Sequence, residues 1–263
     1  MLEFAKELAK EAGFLAKGYY ERGVSKQYKS YESDIVTEAD KEVSNFVIKK
    51  IKEKYPDHGI VSEEESEVVN PNAEYVWVVD PIDGTRNFAN HIAVWCTLIG
   101  IEKNGEPFAG VVYDAINDEL FYAEVGKGAY LNGVKIEVSQ KHNIDFCFLY
   151  YGSGKIVKDS PYNLPEDLYK KYKRFYDNLV GDDGHWVHNY GTMLSAMHLA
   201  CGRIDAFLNN SGLYHDYLAP TIIAREAGAL VTDSDGTDWE KGKRDIVIAN
   251  PKLNKKLLEL FKQ

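Results

Sequence analysis

The chain has 263 residues, 44% hydrophobic and 27% charged, enough for a substantial core in one large domain or two closely packed subdomains. Its net charge of −10 argues against nucleic acid and anionic membrane as partners, since both call for a basic face. The N-terminus mixes Lys and Glu throughout and lacks the apolar centre of a signal peptide or a membrane span, so a cytoplasmic protein is expected.

Apolar residues at helical spacing (Leu2, Ala5, Leu8, Ala9, Ala12, Leu15, Ala16, Tyr19) predict a helix over 2–21. A second helix is predicted from Thr37 to Lys54, opened by a capping box of Thr37 and Asp40 and followed by Pro56. Tyr75–Val79 reads as a buried strand ending at Asp80. Residues 94–102 and 107–114 form a hairpin around Asn104-Gly105, and strands at 119–125 and 134–138 follow. Beyond residue 142 strands and helices alternate: strand 146–151, helices near 165–179 and 190–201, strand 204–208, helix 216–227, strands 228–232 and 245–249, and helix 251–262. The expectation is α+β, with an N-terminal antiparallel-sheet half (1–142) and a C-terminal α/β half (143–263). Cys96, Cys147 and Cys201 are odd in number and form no CxxC pair, so they read as buried structural thiols.

The acids carry the chemistry. Asp80 ends a run without other charges, and Asp83 follows in a Pro-Ile-Asp-Gly turn. An isolated buried carboxylate is costly, and no Lys, Arg or His lies between Val76 and Gly84 to pair with it. A hard divalent cation such as Mg²⁺ would serve, bound through carboxylate oxygens. The alternative is a plain strand-ending turn, which Asp-Pro and Asp-Gly also form. A helix beginning after Gly84-Thr85 would add an anion site, and the Thr85 hydroxyl could orient a water. Metal ions, rather than Lys and Arg, would then supply the positive charge that a phosphate substrate needs.

Trp77-Val78-Val79-Asp80-Pro81-Ile82-Asp83-Gly84-Thr85-Arg86-Asn87-Phe88 resembles the WxxDPxDGTxNF motif of the inositol monophosphatase family. Asp34 to Asp40 is similar to its DxVTxxD, Ser62-Glu63-Glu64 to its GEE element, and Gly126 to Ser139 to its GxGAxxNGxxIxVS. Gly191-Thr192, Gly202 to Ala206 and His215 to Pro220 resemble its later GS, GxxDA and WDxAA patterns. The resemblance implies a layered αβαβα sugar-phosphatase fold, a homodimer, and Mg²⁺-dependent hydrolysis of a small phosphorylated polyol or sugar. Inositol-1-phosphate is the first expectation, with fructose 1,6-bisphosphate or 3′-phosphoadenosine 5′-phosphate as alternatives. A catalytically inactive metal- or sugar-phosphate-binding protein is the reading from a different class.

Carried onto matching positions, the family implies that Glu63, Asp80 and the Ile82 carbonyl hold one ion and that Asp80, Asp83 and Asp216 hold a second. A weaker third would sit near Glu63. Thr85 and Asp40, assisted by Glu63, would orient the attacking water. Asp83, Gly84, Thr85, Asn209 and Asp216 would meet the substrate. Without the family, Glu63 belongs to an acidic triplet typical of a solvated loop, Asp40 to a helix first turn, and Asp216 to a helix cap. Lys29 either matches a family lysine or is a surface residue, and Asp34 supports the second helix. His215 replaces the family's Trp, as a packing residue or a donor to Asp216. Asn209 or Asn210 stands where animal enzymes place an inositol-contacting Glu, and Arg86 is unusual in its motif, so inositol preference is in question.

Overall fold

The structure, a computed structural model, describes residues 1–28, 35–64, 69–144, 147–154, 164–180 and 186–262. Its first elements are α1 (Leu2–Arg22), β1 (Lys26–Tyr28), β2 (Ile35–Thr37), α2 (Glu38–Lys54), β3 (Gly59–Ser62), β4 (Tyr75–Asp83) and α3 (Thr85–Ala89). Next come β5 (Cys96–Lys103), β6 (Glu106–Asp114), β7 (Glu119–Glu124), β8 (Ala129–Leu131) and β9 (Val134–Ile136). The remainder is β10 (Phe148–Gly152), α4 (Glu166–Val180), β11 (Trp186–His188), α5 (Leu194–Ala200), β12 (Ala206–Asn209), α6 (Tyr214–Glu226), β13 (Leu230–Thr232), β14 (Ile246–Ala249) and α7 (Pro251–Leu260). The class is α+β, as the pattern predicts.

The chain forms two compact units. One is Met1–Lys135 with Gly191–Leu194 and His215–Glu226; the other is Ile136–Tyr190 with Ser195–Tyr214 and Ala227–Gln263. Most of α6, including Asp216, therefore groups with the first unit, whereas a boundary at residue 142 assigns it to the C-terminal half. The reason lies in two glycines. A seven-stranded sheet runs β3-β4-β5-β6-β7-β8-β9, with β3 parallel to β4 and the β4–β8 neighbours antiparallel. Strand alternation sends Trp77, Val79, Ile99, Ile101, Val111 and Tyr113 into the core built with α1 and α2. On the alternate positions Gly100 and Gly110 pair across β5 and β6. A Cβ on Gly100 would stand 2.7 Å from Leu218, and one on Gly110 2.6 Å from the Ala219 carbonyl oxygen. Bare backbone at both positions lets α6 lie close against the sheet.

In the second unit the sheet order is β11-β10-β12-β14-β13, with β10 parallel to β11 and β12 and the other pairs antiparallel. Leu149, Leu208 and Val247 form its core with Tyr172 and Phe175 of α4 and Leu253 and Leu257 of α7. The sequence pattern misses β1, β2, β3, β8 and β11, which are three or four residues long and too short to show a period. Among the described residues, no helix is long and apolar enough to cross a membrane.

Candidate functional site

The strand carrying the acids continues past Asp80, its predicted end, to Asp83. In a regular strand, residues three apart point to opposite faces. Here Asp80 pairs with Leu98 and Asp83 with Cys96, so three steps on β4 oppose two on β5. The extra residue is a β-bulge at Pro81-Ile82, where a proline without an N–H suits a broken ladder. It brings both carboxylates to one side. Asp216, in the first turn of α6 rather than at its cap, completes the group. Asp80, Asp83 and Asp216 each present an oxygen within 4.8 Å of the others.

Burial pushes the Asp80 carboxyl well above the usual carboxylate range, and the nearby charges of Glu63, Asp83 and Asp216 push it further. Asp83 is raised to about 7, again chiefly by burial and then by Asp216, against the pull of hydrogen bonds from Thr192, Met193 and Cys96. A cluster of hard oxygen donors that repel one another fits a divalent cation of the Mg²⁺ type, whose charge relieves the repulsion. Cys96 is not one of the grouped ligands, and burial and then the Asp83 charge push its thiol up.

Glu63 reaches the group through strand register. The parallel pairing sets Ser62 beside Val79, and the Glu63 amide donates to the Val79 carbonyl at 3.1 Å. The next residue after Ser62 and after Val79 is then an acid, and Glu63 lies near enough for its charge to raise Asp80. It stands beside the three-aspartate group without belonging to it.

Asp40 has two tasks. Its Oδ2 accepts the Thr37 amide at 2.7 Å and the Thr37 hydroxyl at 2.5 Å, closing the predicted capping box of α2. Its Oδ1 lies 3.2 Å from the Thr85 hydroxyl, which also lies 3.0 Å from the Ile82 carbonyl. Burial raises Asp40 to about 6; the Thr37 hydrogen bonds oppose this, and the Glu64 and Glu63 charges reinforce it. The Ile82 amide donates to Asp80 Oδ1 at 3.1 Å. Gly84 has φ 91°, and a Cβ there would stand 3.2 Å from Thr192, so the turn into α3 requires glycine.

Asn209 and Asn210 belong to the second unit, where Asn209 braces its own loop and Asn210 ties that loop to the segment after β10. Asn209 Oδ1 accepts the Ser211 amide and hydroxyl, and Asn210 Oδ1 accepts the Gly154 amide at 2.8 Å. His215 Nε2 is buried without a hydrogen bond, 3.6 Å from Asp216 Oδ1. Arg86 is exposed on α3. Lys29 and Asp34 lie outside the described residues. Sequence reasoning missed Met193 and Cys96 as partners of Asp83; only Gly191-Thr192 signalled that segment.

The inositol monophosphatase family model matches residues 1–263. An inositol monophosphatase of Dictyostelium discoideum is 32% identical, with 99% of this chain and 94% of that protein covered. The Nus factor SuhB of Escherichia coli is 30% identical, with 98% and 94% covered. The crystal structure of the extragenic suppressor protein suhB from Bartonella henselae superposes with a TM-score of 0.89 at 27% identity, covering 99% of this chain and 98% of that one. With its acids gathered as described and its whole length matched, the chain belongs to the inositol monophosphatase family of phosphoric monoester hydrolases.

Proposed function

We propose that the protein hydrolyses small phosphorylated polyols or sugars with Mg²⁺, inositol-1-phosphate first among them, as a cytosolic homodimer. The observation that carries this reading is the convergence of Asp80, Asp83 and Asp216 beside the Thr85–Asp40 pair. Asp80, Asp83 and Asp216, with Glu63 and the Ile82 carbonyl, would hold two Mg²⁺ ions and, near Glu63, a weaker third. Bound there, the ions supply charge neutralisation of the phosphate, a lowered pKa for water and stabilisation of the leaving alkoxide.

The residues themselves do the orienting. The Thr85 hydroxyl has one proton and two lone pairs, so donating to Asp40 Oδ1 leaves it able to accept from a water. Asp40 Oδ2 is occupied by Thr37, which leaves Oδ1 as the relay oxygen. Asp40 Oδ1 is placed to accept the Thr85 proton as Thr85 takes one from the water. Glu63 assists from its place beside Asp80. The amides of Gly84 and Thr85, at the start of α3, would hold the phosphate oxygens. No side chain needs to be phosphorylated, so inversion at phosphorus is expected.

Asn209 contributes to substrate choice in this reading, in place of the inositol-contacting Glu of animal enzymes. Phosphate release from inositol-1-phosphate, fructose 1,6-bisphosphate and 3′-phosphoadenosine 5′-phosphate, with and without Mg²⁺, tests the proposal. The highest kcat/KM is expected for inositol-1-phosphate. Mg²⁺-independent release, or none from any of the three, would sink it. Sedimentation velocity checks the dimer, a monomer at micromolar concentration being the contrary result.

A further inference from the structure

Asp83 is held by three donors, all directed at one oxygen. Its Oδ2 accepts the Thr192 hydroxyl, the Met193 amide at 2.5 Å and, more loosely, the Cys96 thiol at 3.4 Å. Thr192 and Met193 come from the segment just before α5, and Cys96 from the β5 residue paired with Asp83. Cys96 and Thr192 are themselves 3.8 Å apart, and both are buried. A carboxylate oxygen with its lone pairs taken by such donors has little left for a cation. Asp83 is then reduced to one free oxygen.

The geometry points to Thr192 as a positioning residue that makes Asp83 a one-oxygen ligand and so tilts the site toward Mg²⁺ over Ca²⁺. Mg²⁺ binds one oxygen per carboxylate in a small octahedron, whereas Ca²⁺ takes six to eight ligands and often both oxygens of one carboxylate. Tying down Oδ2 removes the bidentate mode that Ca²⁺ can use and Mg²⁺ does not need. The Met193 amide belongs to the backbone, so Thr192 is the donor whose side chain can be changed. Cys96 is a weaker donor and contributes less. This inference rests on the proposed metal centre, and its test separates the two.

Mg²⁺ and Ca²⁺ are titrated calorimetrically into the full chain as wild type, Thr192→Val, Thr192→Ala and Thr192→Ser, with each fold checked by circular dichroism. Losing the hydroxyl should weaken Mg²⁺ binding by about tenfold, the lower end for residues that orient a metal ligand. Ca²⁺ should lose less, so the ratio of Ca²⁺ to Mg²⁺ dissociation constants falls, and Thr192→Ser should restore it. Thr192→Ala serves if Thr192→Val does not fold, and a merely structural role would not shift the ratio in a folded variant. An unchanged ratio in a folded variant lacking the hydroxyl, with wild type binding Mg²⁺, overturns the role of Thr192 alone. Absence of Mg²⁺ binding by wild type overturns the metal centre and this inference with it.

Discussion

Asp83 in the first unit and Asp205 and Asp233 in the second are equally buried, each 8% exposed. Their surroundings differ in sign. Asp205 accepts the Ser139 hydroxyl at 2.8 Å, the Lys141 ammonium at 3.0 Å and the Phe148 amide at 2.9 Å. Asp233 accepts the Lys243 ammonium at 2.9 Å and the Thr237 hydroxyl at 2.5 Å. Burial pushes the Asp233 carboxyl up, but those hydrogen bonds outweigh it and hold it below its ordinary value. Asp83 has three donors but no ammonium; burial, and then the Asp216 charge, outweigh those donors, so its carboxyl is raised. Burial alone therefore does not mark a functional acid. A buried acid packed among other acids is the better marker, because their mutual repulsion calls for a counter-charge.

The largest test of this contrast is Asp80→Asn. Phosphate release should fall on the order of 10³-fold, because a shared metal ligand and its charge are lost. Thermal unfolding in chelator should show no loss of stability, since the change removes charge from a repulsive cluster. Full turnover in this variant would erase the distinction between the units. Thr85→Ala should lower kcat by about 10²-fold, the usual worth of a positioned acid–base group, with Mg²⁺ affinity measured by calorimetry unchanged. The mirror experiment is Asp205→Ala. Urea unfolding should show a loss of about 2 kcal/mol from the charged hydrogen bonds, with kcat unaltered.

The smallest effect is in pH. Asp40 and Asp83 are raised to about 6 and about 7 in the folded chain. Their contribution to stability is complete below pH of about 4 and is lost as pH rises through 6 to 7. Asp233 is lowered, so its contribution is present above the ordinary carboxylate pKa and is lost on acidification. Mg²⁺ displaces protons from the ligand Asp83 and not from Asp233, so its stabilisation should be larger at pH 8 than at pH 5. Differential scanning fluorimetry at the two pH values measures this; an equal Tm gain at both would contradict it.

Much of this was legible from local pattern. The α1 stripe, the Thr37–Asp40 box and the Asn104-Gly105 turn are written within a few residues, and the turn has the expected positive φ values of 53° and 82°. Asp80 and Asp83 could be singled out because nothing nearby neutralises them, although alternation would place them on opposite faces. The bulge that reunites them is set by pairing with β5, which no local pattern reveals. Glu63 joins through the register of β3, and Asp216 through α6 seated on Gly100 and Gly110; both depend on partners distant in sequence. Motif resemblance reached these residues where periodicity could not. The cradle of Asp83 was missed for the same reason, since Thr192 and Met193 lie 109 and 110 residues away.

The central claim is that the aspartates of the first unit form a centre for divalent metal. The direct measurement is calorimetric titration of Mg²⁺ at pH 7.5 into chelator-treated wild type and Asp83→Asn, each confirmed as folded. Saturable binding by wild type, and loss of at least one ion or a drop in affinity of tenfold or more in the variant, is the predicted result. Superimposable isotherms for the two proteins would contradict it.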